Sequence, residues 1–195
     1  MDRLAALAIA GAFLAFAAGC SSTPARFYTL SATAAPGPAP SKVSVAVGPV
    51  SIPASIDRPQ IVVSTSANQV VLDDFNRWAS PLQDDIARVV AENLVVLLGT
   101  PRVTRFPQSS NGDAEYRVQI EVRNFESVPG KSASLDAVWT VRRSKDAKAE
   151  TGRTSAREKV DDNSFDALAA AHSRAMAALS QDIAEAVRKM ERPAS

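Results

Sequence analysis

Residues 52–99 prescribe a strand, a turn, a returning strand and a helix, which limits the chain to folds where a hairpin feeds directly into a buried helix. Pro59 holds Arg58 extended and can open a strand without sitting inside a central one, so a strand starts at Gln60 and runs through Ile61, Val62 and Val63. Asn68 tolerates the left-handed turn conformation, and Val70, Val71 and Leu72 form the return strand. A polar loop over residues 73–76 leads to Arg77, Trp78, Ala79, Ser80, Pro81 and Leu82. There Ser80 reads as a helix N-cap, Pro81 as the first helical residue, and Gln83 as the side chain that completes a capping box. Leu82, Ile86, Val89, Val90, Leu94, Leu97 and Leu98 share one face of this helix, with Asp84, Asp85, Arg88 and Glu92 mostly on the other. Gly99 and Pro101 end it.

Around this segment the periodicity is mostly that of strands. Residues 27–30 read as a short strand, and residues 32–41, with three prolines and Gly37, as a loop outside any sheet. Val43, Val45 and Val47 alternate with small residues up to a bend at Gly48 and Pro49. Residues 102–106 form a short strand and residues 107–113 a polar loop. Tyr116, Val118, Ile120 and Val122 alternate with charged and polar residues, as a strand with one wet face requires. Pro129 and Gly130 suit a type II turn into an antiparallel partner carrying Ala133, Leu135, Ala137, Trp139 and Val141. Residues 148–160 make a polar strand suited to an edge. A final helix over residues 165–190, capped by Ser164, buries Phe165, Leu168, His172, Met176, Leu179, Ile183, Val187 and Met190. The expected fold is α/β of the α+β type: a single domain whose mixed, mostly antiparallel sheet is packed by two long helices.

The amino terminus reads as a processing segment. Residues 4–18 are apolar and uncharged, too short to span a bilayer comfortably, and end in Ala17, Ala18, Gly19 and Cys20. That ending resembles a bacterial lipobox, which implies cleavage before Cys20 and lipidation of its sulfur. Cys20 is the only cysteine, so no intrachain disulfide can form, and lipidation explains a lone thiol in an exported chain. The expected organisation is a signal peptide over residues 1–19, a lipidated tether over 20–26 and one domain over 27–195. Ser21 and Ser22 follow the cysteine where sorted lipoproteins retained at the inner membrane carry aspartate. The resemblance therefore implies the periplasmic face of the outer membrane.

No constellation for catalysis is visible. His172 is the only histidine and falls on an apolar stripe, so a packed ring is expected rather than a ligand or base. No Gly-x-Ser-x-Gly elbow and no phosphate-binding glycine loop occurs. Asp84 and Asp85 suit the positive end of a helix. A formal charge of +1 predicts no nucleic-acid partner. Arg58, Gln60, Arg77 and Trp78 admit two readings. Trp78 can pack where the hairpin meets the helix, with Arg77 or Arg58 paired to Asp57 or Asp73. Equally, tryptophan and arginine are enriched in interface hot spots, which makes the four candidate partner-binding residues.

The runs from Asp57 to Val62 and from Arg77 to Leu82, with Phe27, Tyr28, Thr29 and Leu30 upstream, resemble the PqiC-type family of ABC-transport auxiliary lipoproteins. Ser80 stands where that family often carries an acidic residue, and serine caps a helix equally well. The resemblance implies a non-enzymatic docking or assembly component of an MCE-type intermembrane lipid transport system that maintains the envelope. It implies an MCE-domain protein crossing the periplasm, an inner-membrane component behind it, and no cofactor beyond the covalent lipid on Cys20; a ring-shaped homo-oligomer would make sense of a carrier tunnel meeting the outer membrane, though no single residue demonstrates one. Two other readings are a regulatory lipoprotein that activates a cell-wall synthase and a carrier that encloses an acyl chain between helices and sheet.

Overall fold

The computed structural model describes residues 23–106 and 114–192; the signal segment, Cys20 and the loop expected at 107–113 lie outside the described residues. In chain order the elements are β1 (Arg26–Tyr28), β2 (Val45–Ser51), β3 (Gln60–Ser66), β4 (Gln69–Trp78), α1 (Leu82–Leu98), β5 (Val103–Arg105), β6 (Tyr116–Val128), β7 (Ser132–Arg143), β8 (Ala149–Lys159) and α2 (Phe165–Glu191). The strands form two sheets rather than one. A five-stranded sheet has the order β5-β2-β6-β7-β8, and a three-stranded sheet has the order β1-β4-β3. Their separation starts at residues 52–59, where two prolines and a turn closed by Ile56 N–H donating to the Pro53 carbonyl (3.0 Å) lead the chain away from β2.

In the large sheet β2 runs parallel to both β5 and β6, while β6, β7 and β8 form an antiparallel meander. The turn from β6 to β7 has the expected chemistry: Gly130 lies at φ 64°, and Lys131 N–H donates to the Val128 carbonyl at 3.0 Å. Both helices pack against each other on one face of this sheet, α1 over β2 and β5, and α2 over β6, β7 and β8. Between them Leu94, Leu135, Met176, Leu179 and Ile183 are fully buried. The opposite face of β6 presents Arg117, Gln119, Glu121 and Arg123 to solvent, as its period of two requires.

Three local expectations are corrected. Residues 73–76 do not leave the sheet. Ile61 pairs with Asp73 but Gln60 with Arg77, so these residues form a bulge within β4, held by the Asp73 carboxylate accepting from the amides of Phe75 (2.9 Å) and Asn76 (2.7 Å). Ser80 is not the cap of α1. Pro81 occupies that position, with φ −50° and ψ 126°, and no side chain caps the end. Instead the Pro81 carbonyl accepts from Asp84 N–H (3.0 Å) and Asp85 N–H (3.1 Å), and the two acidic residues face the positive end of the helix. Finally, Asp85 is buried rather than wet. Its carboxylate accepts from Leu30 N–H at 2.8 Å and pairs with Arg88 at 2.5 Å, and so clamps the chain leaving β1 onto α1.

That clamp gives a first testable result. Asp85→Ala would leave the Leu30 amide buried without an acceptor, which costs about 1–3 kcal/mol. Arg88 would keep Glu92 at 2.9 Å and the Leu30 carbonyl at 2.6 Å. The expected outcome is a lower denaturant midpoint with amide exchange at Leu30 accelerated beyond the global change. Asp85→Asn, which retains an acceptor oxygen, should lose less.

Candidate functional site

The hairpin of β3 and β4 meets the body of the protein where Gln60 pairs with Arg77 and where Trp78 N–H donates to the Pro59 carbonyl at 2.8 Å. Register therefore brings Gln60 and Arg77 side by side, with Arg58 just across Pro59. All three are half-buried. Arg77 Nε donates to the Asp74 carbonyl at 2.9 Å, a contact inside the bulge, while Arg58 Nε is buried without a partner. Among the described residues neither arginine forms an ion pair with Asp57 or Asp73; the Asp73 carboxylate is occupied by the bulge.

Trp78 faces the other way. It is only 5 % exposed and packs edge-on against Phe125 (centroids 6.1 Å) and His172 (6.4 Å), which stack on each other at 3.8 Å. Its ring is therefore part of the core. Trp78 can serve a surface at Arg77 only by fixing the backbone beneath it. Cys20, the expected lipidation site, lies outside the described residues.

This aromatic cluster holds a pair that the sequence reading missed. Ser127 Oγ and His172 Nε2 are 2.8 Å apart. A serine hydroxyl on an imidazole is the first half of a nucleophile and base arrangement, but Ser127 is 2 % exposed and His172 fully buried. Burial alone pushes the His172 imidazole down to about 3, so the ring is neutral at any physiological pH. Among the described residues His172 Nδ1 has no partner to orient it, and no carboxylate completes the pair as a third member. The pair is enclosed by the core, where the Ser127 hydroxyl and His172 Nε2 satisfy each other. The signal was the odd spacing from Val122 to Phe125. A register shift between Val122 and Asn124 reverses the parity of β6 and turns Phe125 and Ser127 inward.

The charged surface carries exposed ion pairs. Arg153 pairs with Asp136 across β7 and β8 and lowers the carboxyl below its ordinary range, while Arg143 beside Asp146 holds that carboxyl near about 2. Among the described residues no cluster of three His, Cys, Asp or Glu could hold a metal, and no helix is long and apolar enough to cross a membrane. An open groove of about 820 Å³ runs between residues 33–38 and the alanine face of α2. Of its cations, Arg188 donates to the Leu97 carbonyl at 2.6 Å, Arg174 to Glu158 at 2.9 Å and Lys189 to Glu150 at 2.8 Å, and Arg192 also lines it.

The domain is thus a two-sheet α+β fold with both helices on one face of its large sheet and a buried Ser–His pair. The chain belongs to the ABC-type transport auxiliary lipoprotein component family, whose pattern matches residues 28–184. Two solved structures share the fold. One is an uncharacterised protein, 19 % identical, with a TM-score of 0.70, covering 85 % of this chain and 99 % of its own. The other is a protein from Xanthomonas campestris assigned to a family of unknown function, 20 % identical, with a TM-score of 0.67 and the same coverage of 85 % and 99 %. No curated protein matches the chain.

Proposed function

We propose that this chain is an outer-membrane lipoprotein that docks an MCE-domain protein reaching across the periplasm, and so joins an inner-membrane transport component to the outer membrane. The supporting observation is membership of a transport auxiliary lipoprotein family across nearly all of the folded domain. Cys20 carries the lipid, since it is the only cysteine. Residues 1–19 are then the signal peptide and residues 20–26 the tether of the domain that follows. Several acyl chains at ~0.8 kcal/mol per buried methylene hold the protein at the bilayer without help from its fold. The contribution of the domain is affinity and position, with no cofactor and no reaction of its own. Arg58, Gln60 and Arg77 form the docking surface, with Trp78 as its buried support. A ring of copies would fit a carrier that must meet the membrane around a path for lipid.

Crosslinking in intact cells followed by identification of the captured chain tests the proposal, with the MCE-domain protein as the expected partner. Arg58→Ala and Arg77→Ala should weaken that capture while melting temperature changes little. A synthase of the cell wall captured instead would overturn it. Cys20→Ala should leave the domain folded but shift it from the membrane to the soluble fraction once the signal is removed. Persistence of the cleaved variant in the membrane fraction would overturn the anchor assignment.

A further inference from the structure

We infer that the β3–β4 hairpin is a second membrane contact, laying the exposed Val70, Val71 and Leu72 of its returning strand into the lipid surface to which Cys20 anchors the chain. The inference rests on the lipidation proposed above.

Three observations carry it. The first is exposure: Val70, Val71 and Leu72 are 58 %, 45 % and 42 % exposed, although successive strand residues point to opposite faces. Both faces of the returning strand are therefore exposed; on β3 Ile61 and Val63 remain in the core, and the hairpin is exposed on both strands from Thr65 to Leu72. The second is charge. From Gln60 to Leu72 there is no Asp, Glu, Lys or Arg, whereas Asp57, Arg58, Asp73, Asp74 and Arg77 cluster at the base. Proteins ordinarily guard exposed edge strands with charge. This chain does so at β8, the edge of the large sheet, with Glu150, Arg153, Arg157, Glu158 and Lys159. β3, the edge of the small sheet, ends instead in Ser64, Thr65 and Ser66. The turn itself, residues 64–69, is polar but uncharged, so an uncharged hairpin with an apolar stretch on its returning strand stands above a charged collar, which fits the boundary between headgroups and acyl chains.

The third observation is direction, and it selects the occupant. β1 lies parallel to β4, with Arg26 opposite Asn76 and Tyr28 opposite Trp78. The chain entering β1 must therefore come from the side on which β4 begins, which is the hairpin tip. From Cys20 to Arg26 an extended chain reaches at most ~20 Å. From Asp73, where regular pairing with β3 resumes beyond the bulge, back to Gln69 at the tip is about 13 Å of strand. The tether and the hairpin thus run the same way with similar reach, so anchoring at Cys20 brings the hairpin to the bilayer. Phe27, which is exposed on β1 itself, adds apolar surface on the approach.

The test uses the full chain, purified with its lipid and reconstituted into phosphatidylethanolamine and phosphatidylglycerol vesicles. Cys20 is blocked as a thioether in the lipidated protein, so Val70→Cys supplies a single thiol for an environment-sensitive fluorophore. Lys148→Cys, at the turn before β8, is the control. The expected result is blue-shifted emission at position 70, roughly halved by lipids brominated on their acyl chains, as for elements seated ~5–10 Å into the interface. Position 148 should keep a water-like emission without quenching. A mass spectrum of the amino-terminal peptide separates the two ideas. An acylated Cys20 with an unquenched position 70 overturns the membrane contact alone; an unacylated Cys20 overturns the lipoprotein reading and this inference with it. Crosslinking of position 70 between copies without lipid quenching makes the occupant a second copy of the chain, and also overturns it.

Discussion

Gly152→Ala is expected to be among the most damaging single changes in the domain, although it adds one carbon to an edge strand. Gly152 pairs directly with Trp139 across β7 and β8, and a Cβ there would lie 2.2 Å from Trp139 Cζ2 and 2.6 Å from Cη2. The indole lies over the glycine backbone. It cannot swing aside freely, because Nε1 donates to Thr154 Oγ1 at 3.1 Å, and Thr154 in turn donates to Asp182 on α2. Alanine gains about 0.5–1 kcal/mol over glycine in strand propensity. Forcing a buried side chain off its position costs about 1–3 kcal/mol, and losing the burial of a tryptophan about 3–5 kcal/mol. The clash outweighs the gain, and a net loss of about 2–4 kcal/mol is expected from denaturant unfolding. A double-mutant cycle isolates the cause. In a Trp139→Ala background the same Gly152→Ala change should be neutral or slightly stabilising, since nothing remains above the glycine. An equal loss in both backgrounds would show that the cost lies in the backbone.

That pairing also shows why part of this fold was legible in the sequence and part was not. Alternation fixes which face of β7 is buried, so Trp139 was assigned to the core correctly from its neighbours Ala137 and Val141. Its partner across the sheet depends on register, which period-two patterning does not encode. The same limit explains the site. Ser164 was readable as a cap because its own side chain makes the bond, accepting from Ala167 N–H at 3.1 Å. Ser80 failed because the competing signal, Pro81, takes the cap position without any side-chain bond. Charge alone predicts a wet Asp85, yet an amide 55 residues earlier in the chain makes its burial favourable. Arg58, Gln60 and Arg77 are contiguous at the hairpin base because the strand pairing is local. Trp78, one residue further, points inward because strand parity puts it on the other face. The Ser127–His172 pair depended on a bulge that changes the parity of β6, and the sequence marks it only by a displaced phenylalanine.

The interior polar pair leads to a sharper prediction about acid. The folded domain holds His172 near about 3 through desolvation, with Phe125, Trp78 and Ser127 around the ring and no charged neighbour to offset it. In the unfolded chain the imidazole returns to about 6.5. Above that value the ring is neutral in both states and the difference has no effect. As pH falls below 6.5 the unfolded state takes up a proton that the folded state refuses, so stability declines by up to about 1.4 kcal/mol per pH unit. Between pH 6.5 and pH 4.5 this amounts to roughly 2–3 kcal/mol, a large share of the 5–15 kcal/mol typical of a domain. His172→Gln keeps a polar atom within reach of Ser127 but has no proton to gain. Denaturant midpoints measured at both pH values should therefore fall much further in the parent than in the variant. Carboxylates titrating in this window are shared by both proteins and cancel in the comparison; Asp146, held near about 2, stays ionised throughout. Equal declines would mean that the ring takes its proton while the domain remains folded. Water would then reach Ser127 as well, and the sealed interior that argues against a reaction at this pair would no longer hold.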